Sequence, residues 1–130
     1  MNIPESLRYT ADHEWARRDG GDVVVGITDY AQSQMGDVVH VDHPTVGSNV
    51  SAGDPVGEIE STKSVSEVYA PISGTVVAIN GDVDGEPELV NTDPYGRGWL
   101  FSIRPLDTGA IESLLDPAAY AAILDSADAG

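Results

Sequence analysis

The stretch Pro55-Val56-Gly57-Glu58-Ile59-Glu60-Ser61-Thr62-Lys63-Ser64-Val65-Ser66-Glu67-Val68-Tyr69-Ala70-Pro71 sets two β-prone arms around a small polar centre. The pattern predicts a β-hairpin with Lys63 projecting from its tip, the most accessible backbone position a rigid β domain offers. Lys63 is also the only lysine in the chain, because Arg8, Arg17, Arg18, Arg97 and Arg104 supply the other five of six basic residues. Two readings follow. A turn lysine can be an ordinary solvated charge with Glu60 and Glu67 as weak surface partners. A lone primary amine can also be kept for acylation or Schiff-base chemistry, which a guanidinium cannot perform.

Outward from the hairpin, short apolar runs alternate with turn signals. Residues 23–27, Val-Val-Val-Gly-Ile, read as a buried strand, and Thr28 or Asp29 can cap a helix over 30–35 that Gly36 stops. Residues 38–41 restart the sheet, and Gly47-Ser48, Ala52-Gly53-Asp54, Ser73-Gly74 and Asn80-Gly81 punctuate the strands up to Ile79. Turns at this spacing predict an all-β sandwich or closed sheet rather than βαβ units. One helical turn is expected near Pro4 and Glu5, another over 87–91, and a last strand over 98–103. Asp116 before Pro117 starts a C-terminal helix over 118–124, preceded by a shorter one near 111–115. The segment His13-Glu14-Trp15 reads as a polar stretch in which Trp15 anchors the core and Glu14 is the functional member.

Composition narrows the function classes. The 130 residues suit one domain, and 22 Asp plus Glu against six Lys plus Arg give a formal charge of −16. Such a surface repels nucleic acid and anionic membranes. The acids are spread along the chain without a long run, which reads as a solvated shell adapted to a high-salt cytosol. No apolar stretch reaches membrane-span length and the start carries no signal pattern, so the expected location is cytoplasmic. With no cysteine, disulfides, thiolate metal sites and cysteine nucleophiles are excluded. His40 and His43 flank Asp42, but residues three apart on a strand face opposite ways, so no metal site is expected. Ser61 and Ser64 lack any activating context for hydrolysis.

The segment over 60–69 resembles the lipoylation site of the glycine cleavage system H protein family. Further matches run along the chain: His13-Glu14-Trp15, Gly26-Ile27-Thr28-Asp29-Tyr30-Ala31, Gly36-Asp37, Pro71-Ile72-Ser73-Gly74, Glu88-Leu89-Val90-Asn91, Asp93-Pro94-Tyr95-Gly96 and Gly98-Trp99-Leu100. Gly47, sixteen residues before Lys63, and Gly74, eleven after it, match glycines that lipoyl-type domains carry. Biotin carriers normally have methionines beside the lysine where Thr62 and Ser64 stand. The lipoyl domains of 2-oxoacid dehydrogenase acyltransferases typically have Asp before it and Ala after it, in longer chains. An unmodified binding module or a lipoyl relay for other enzymes are the remaining alternatives.

The resemblance implies a mainly β, lipoyl/biotinyl-type barrel-sandwich hybrid with short peripheral helices and a C-terminal helical cap. It would be a single domain over 1–130, with a hairpin core at about 23–103 and C-terminal helices at about 109–125. It implies lipoate in amide linkage on Lys63, with Glu60, Gly47 and Gly74 recognised by the attaching enzyme; Glu60 can equally be a solvated carboxylate. The implied role is non-catalytic. The carrier takes the aminomethyl group of glycine from a pyridoxal-phosphate glycine decarboxylase (P-protein) to a tetrahydrofolate-dependent aminomethyltransferase (T-protein), and a dihydrolipoyl dehydrogenase (L-protein) reoxidises it using NAD. Glu14 and Glu67 are the residues the resemblance points to for docking the loaded arm.

Overall fold

The computed structural model describes residues 2–129 as two antiparallel sheets with peripheral helices. The larger sheet has the order β1 (Arg8–Tyr9), β2 (Glu14–Asp19), β3 (Asp22–Ile27), β9 (Phe101–Pro105), β8 (Gly74–Ile79) and β5 (Asn49–Val50). The smaller sheet pairs β4 (Val38–Asp42) with β6 (Pro55–Ser61) and β6 with β7 (Val65–Tyr69). A mainly β body is therefore found as expected.

Strand β3 shows why its apolar run is continuous rather than alternating. Val23, Val25 and Ile27 enter the core between the sheets with Ile59, Val68, Phe101 and Ile103, whereas Val24 faces a second cluster with Trp15, Tyr120 and Leu124. A strand covered on both faces needs apolar side chains on both. The turn into it, Gly20-Gly21, links Asp19 to its partner Asp22 with Gly20 at φ 63°, the two-residue hairpin loop that favours glycine.

Helix α1 (Asp29–Met35) begins where Thr28 Oγ1 accepts the Ala31 N–H at 3.2 Å, settling the cap on Thr28. Helix α4 (Pro117–Ala129) begins where Asp116 Oδ1 accepts the Ala119 N–H at 2.8 Å, and it buries Tyr120 and Leu124, one turn apart, in the second cluster. Between them, α2 (Asp82–Gly85), α3 (Leu89–Thr92) and a 3-10 turn (Ala110–Ser113) are single turns.

Several expectations need adjustment. The region around Pro4 and Glu5 is a turn without a helix, and the last strand starts at Phe101 rather than residue 98. The segment over 14–19 is strand β2, so the β body starts at Arg8, well before residue 23. Glu14, buried at the head of β2, interrupts the apolar pattern that would have announced the strand.

Candidate carrier site

The lysine hairpin is built from β6 and β7, with Glu58 opposite Glu67, Ile59 opposite Ser66 and Glu60 opposite Val65. Ile59 and Val68 are buried in the core and fix the register, since a one-residue slip would expose them both. Thr62, Lys63 and Ser64 form the tip. Ser61 organises it: its hydroxyl accepts the Lys63 N–H at 3.2 Å and the Ser64 N–H at 3.1 Å, while its own N–H donates to Ser64 O at 2.8 Å.

The tip is docked on the corner between α1 and β4. Thr62 N–H donates to Asp37 O at 3.0 Å, and the lysine stem runs over Gly36, where a Cβ would lie 3.0 Å from Lys63 Cε. Gly36 also has φ 78°, which only glycine adopts without strain. Asn91 on α3 holds this corner, accepting the Val38 N–H and donating to Gly36 O, both at 2.8 Å. Lys63 is exposed and makes no ion pair among the described residues, so Glu60 and Glu67 are not its partners.

Glu60 is exposed beside the tip, flanked across the strands by His40 and Val65. Gly47 and Gly74 lie apart from the hairpin, along the larger sheet. Gly47 has φ 93° and donates its N–H to Val76 O at 2.7 Å, and a Cβ on Gly74 would collide with the Arg104 carbonyl of the neighbouring strand. Both glycines thus have a backbone reason to be there.

A cleft of ≈ 270 Å³ opens beside the hairpin. Its walls are residues 12–14 leading into β2, the α1 residues Tyr30, Ala31, Gln34 and Met35, and the hairpin residues 64–68 that begin immediately after Lys63. Glu14 and Glu67, far apart in sequence, both line it. Glu14 is only 2% exposed and is the one buried carboxyl among the described residues. Thr10 Oγ1 donates to its Oε1 at 2.6 Å and the Tyr69 N–H donates to its Oε2 at 3.3 Å. Burial outweighs these two bonds and pushes the Glu14 carboxyl up to about 7. Glu67 is exposed at the rim, accepting the Tyr69 hydroxyl at 3.1 Å.

The other histidines do not build a site. β4 bulges between Val38 and His40 and ends at Asp42, so His43 lies beyond the strand and pairs with Asp84 of α2 at 2.9 Å, while His40 is exposed. Among the described residues no three His, Cys, Asp or Glu side chains converge as a metal site would require, and no helix is long and apolar enough to cross a membrane. Thr10, Gly36 and Ser61 contribute to the site without having been singled out for it. Ser61, a turn-forming residue two before the lysine, and Gly36, read as a helix stop, carried local signals.

A two-sheet β body that presents its lone lysine at an ordered hairpin tip, beside a cleft with a buried carboxyl, defines a lipoyl-type carrier domain. The chain matches the family described as Glycine cleavage H-protein over residues 7–127. It is 58% identical over 124 residues to the glycine cleavage system H protein of Mycobacterium avium, spanning 92% of this chain and 94% of that one. The corresponding protein of an Anaeromyxobacter species is 54% identical over 125 residues, spanning 96% and 98%. The crystal structure of a glycine cleavage system H protein from Mycobacterium marinum superposes with a TM-score of 0.87 at 45% identity, covering 95% of this chain and 99% of that one. The chain belongs to the glycine cleavage H-protein family, whose members carry lipoate on a lysine and serve as the non-catalytic carrier of the system.

Proposed function

We propose that this chain carries lipoate as an amide on Lys63 Nζ and conveys the aminomethyl group of glycine between the decarboxylase and the aminomethyltransferase. The observation that carries the reading is the placement of the chain's only lysine, exposed at a hydrogen-bonded hairpin tip whose following residues line a cleft that holds a buried carboxyl. The residues fit the group: the amine is accessible for acylation, and the cleft, at ≈ 270 Å³, is close to the lower end of small-ligand sites at about 300–1,000 Å³. When bound, lipoate supplies a dithiolane on a long flexible tether that accepts the cargo and a pair of electrons.

The chain's own residues do three things. Lys63 anchors the tether and loses its charge on acylation, which removes a cation from the mouth of the cleft. Ile27, Met35, Ile59 and Val68 give the cleft an apolar lining that keeps water off a sheltered end group. Glu14 and Glu67 offer carboxyl oxygens to a cationic cargo, and such a charge-assisted hydrogen bond contributes about 1.5–3 kcal/mol where water is excluded. Tethering keeps the cargo at high effective concentration in each carrier–enzyme complex.

Membership of the system implies the decarboxylase, the aminomethyltransferase and the dihydrolipoyl dehydrogenase as partners. A lipoate-attaching enzyme is the fourth, with exposed Glu60 as its acidic cue, and Gly47 and Gly74 serve its recognition by keeping the fold that presents the hairpin. The compartment proposed is the cytoplasm, where a bacterial cell holds the tetrahydrofolate and NAD these partners use; the similar proteins above are bacterial. The test is glycine-dependent carbon dioxide exchange with the decarboxylase, using chain treated with lipoate and an attaching enzyme. Wild type supports exchange and Lys63→Arg does not; exchange by the Arg variant would refute the assignment.

A further inference from the structure

The two walls of the cleft are tied together from behind by the C-terminal helix. Tyr120 of α4 is fully buried, stacks on Tyr9 with ring centroids 4.7 Å apart, and places its hydroxyl 2.7 Å from Thr28 Oγ1 and 2.9 Å from His13 Nδ1. Thr28 caps α1, one wall of the cleft, and His13 lies in the wall that carries Glu14. His13 is the one non-glycine residue with positive φ among the described residues, at 71°. Its backbone is held there by Thr28 N–H donating to His13 O at 3.0 Å and by His13 N–H donating to Thr10 O at 3.1 Å. Unusual backbone of this kind persists only where the surroundings over-determine it, and it concentrates at functional sites.

Hydrogen accounting assigns the direction of the side-chain bonds. Thr28 is fully buried, its oxygen already accepts the Ala31 N–H, and among the described residues the Tyr120 oxygen is the only acceptor within reach of its own proton. Thr28 therefore donates to Tyr120, and Tyr120 donates to His13 Nδ1. The reverse direction would strand a buried hydroxyl proton, at a cost of about 1–3 kcal/mol. With Nδ1 accepting, the imidazole proton resides on Nε2, the ring nitrogen left to serve a ligand in the cleft that His13 lines.

We propose that Tyr120 is a positioning residue of the arm-docking cleft: relayed through Thr28 and Tyr120, the C-terminal helix holds His13 as an Nε2–H donor toward the docked arm. This rests on the docking reading above. The groups around the ring are Asp12 and Glu14 on its own segment, Tyr30 of α1 with ring centroids 4.8 Å away, Tyr120 of α4, and Glu67 across the cleft. Burial lowers the imidazole below its ordinary value while Asp12 pulls the other way, and the net shift favours the neutral ring. An N–H donor suits the acceptor atoms of the arm, its amide carbonyl and its sulfurs, whereas Glu14 and Glu67 suit its cation. The terminal helix thus becomes part of the carrier site.

Tyr120→Phe removes the hydroxyl and leaves the ring to stack on Tyr9. In the unmodified chain, ¹⁵N chemical shifts of His13 report the Nε2–H tautomer for wild type and a mixture for Tyr120→Phe. In the lipoylated, loaded carrier, Tyr120→Phe releases ammonia and formaldehyde about fivefold faster, the factor that about 1 kcal/mol corresponds to. His13→Asn, a residue that tolerates the left-handed backbone, shows the same acceleration, and the double variant is no faster than either alone. Lipoylation of Lys63 is unchanged in all three. Unchanged release in Tyr120→Phe overturns the proposal, and so does faster release with an unaltered His13 tautomer or with additive effects in the double variant. If wild type releases its cargo as fast as the urea-unfolded loaded chain, the docking reading itself fails and takes this proposal with it.

Discussion

The backbone N–H of Tyr69, on the lysine hairpin, donates to the carboxyl of Glu14 at 3.3 Å, so a buried acid in the larger sheet is tied directly to the strand that follows Lys63. Thr10 holds the other oxygen of that carboxyl at 2.6 Å. The pair links the cleft's acid to the tip that bears the amine, and the chemistry of Glu14 can be followed through the stability of the whole domain.

The folded state pushes Glu14 up from 4.5 to about 7, so it retains a proton that the unfolded chain releases. The resulting stabilisation is present in full below the unfolded value and is lost as pH rises through the folded one. Relative to Glu14→Gln, which mimics the protonated acid and does not titrate, wild type loses up to about 3 kcal/mol between those two values. Urea unfolding of both proteins from pH 4 to 8 measures it, and parallel pH profiles would show that Glu14 is not held protonated by the fold.

Glu14→Gln and Glu67→Gln shorten the lifetime of the loaded carrier without slowing lipoylation, Glu14→Gln more strongly because Glu14 is buried and Glu67 lies at the exposed rim. The measurement is release of ammonia and formaldehyde from the isolated loaded protein at pH 8, where Glu14 is mostly ionised. Rates equal to wild type in both variants would place the cargo elsewhere.

Ser61→Ala removes the hydroxyl that accepts the Lys63 and Ser64 N–H groups, loosening the tip without touching the core. Initial lipoylation rates are expected to fall about fivefold, the worth of about 1 kcal/mol, with a nearly unchanged melting temperature and with recovery in Ser61→Thr. Wild-type rates in Ser61→Ala would mean that tip order is irrelevant to the attaching enzyme.

A net charge of −16 on one small domain destabilises the compact state by self-repulsion, which salt screens. The melting temperature should rise by about 5 °C or more between dilute buffer and molar potassium chloride. A flat profile would remove the high-salt reading of this surface.

What could be read from the sequence was local. The hairpin, the β3 run and the Thr28 and Asp116 caps each rest on neighbouring residues, and each is present. The strand at Glu14 was hidden because a buried carboxyl breaks the apolar alternation that marks a strand. The two-face argument for His40 and His43 assumed a regular strand running through both, but the bulge and the strand end at Asp42 remove that premise, and Asp84 accounts for His43 instead. Family resemblance pointed to Glu14 and Glu67 one by one; their meeting in one cleft depends on three segments that only the fold assembles. Tyr120, 107 positions from His13, left no local trace of its part.

The central claim is that Lys63 bears the lipoyl group, and intact mass followed by peptide mapping of protein purified from its own host tests it most directly. The account predicts a single added lipoyl group, located on the peptide containing Lys63 and absent from Lys63→Arg, whose fold and melting temperature are otherwise retained. A biotinyl mass on that peptide, or an unmodified chain that still supports glycine cleavage, would contradict it.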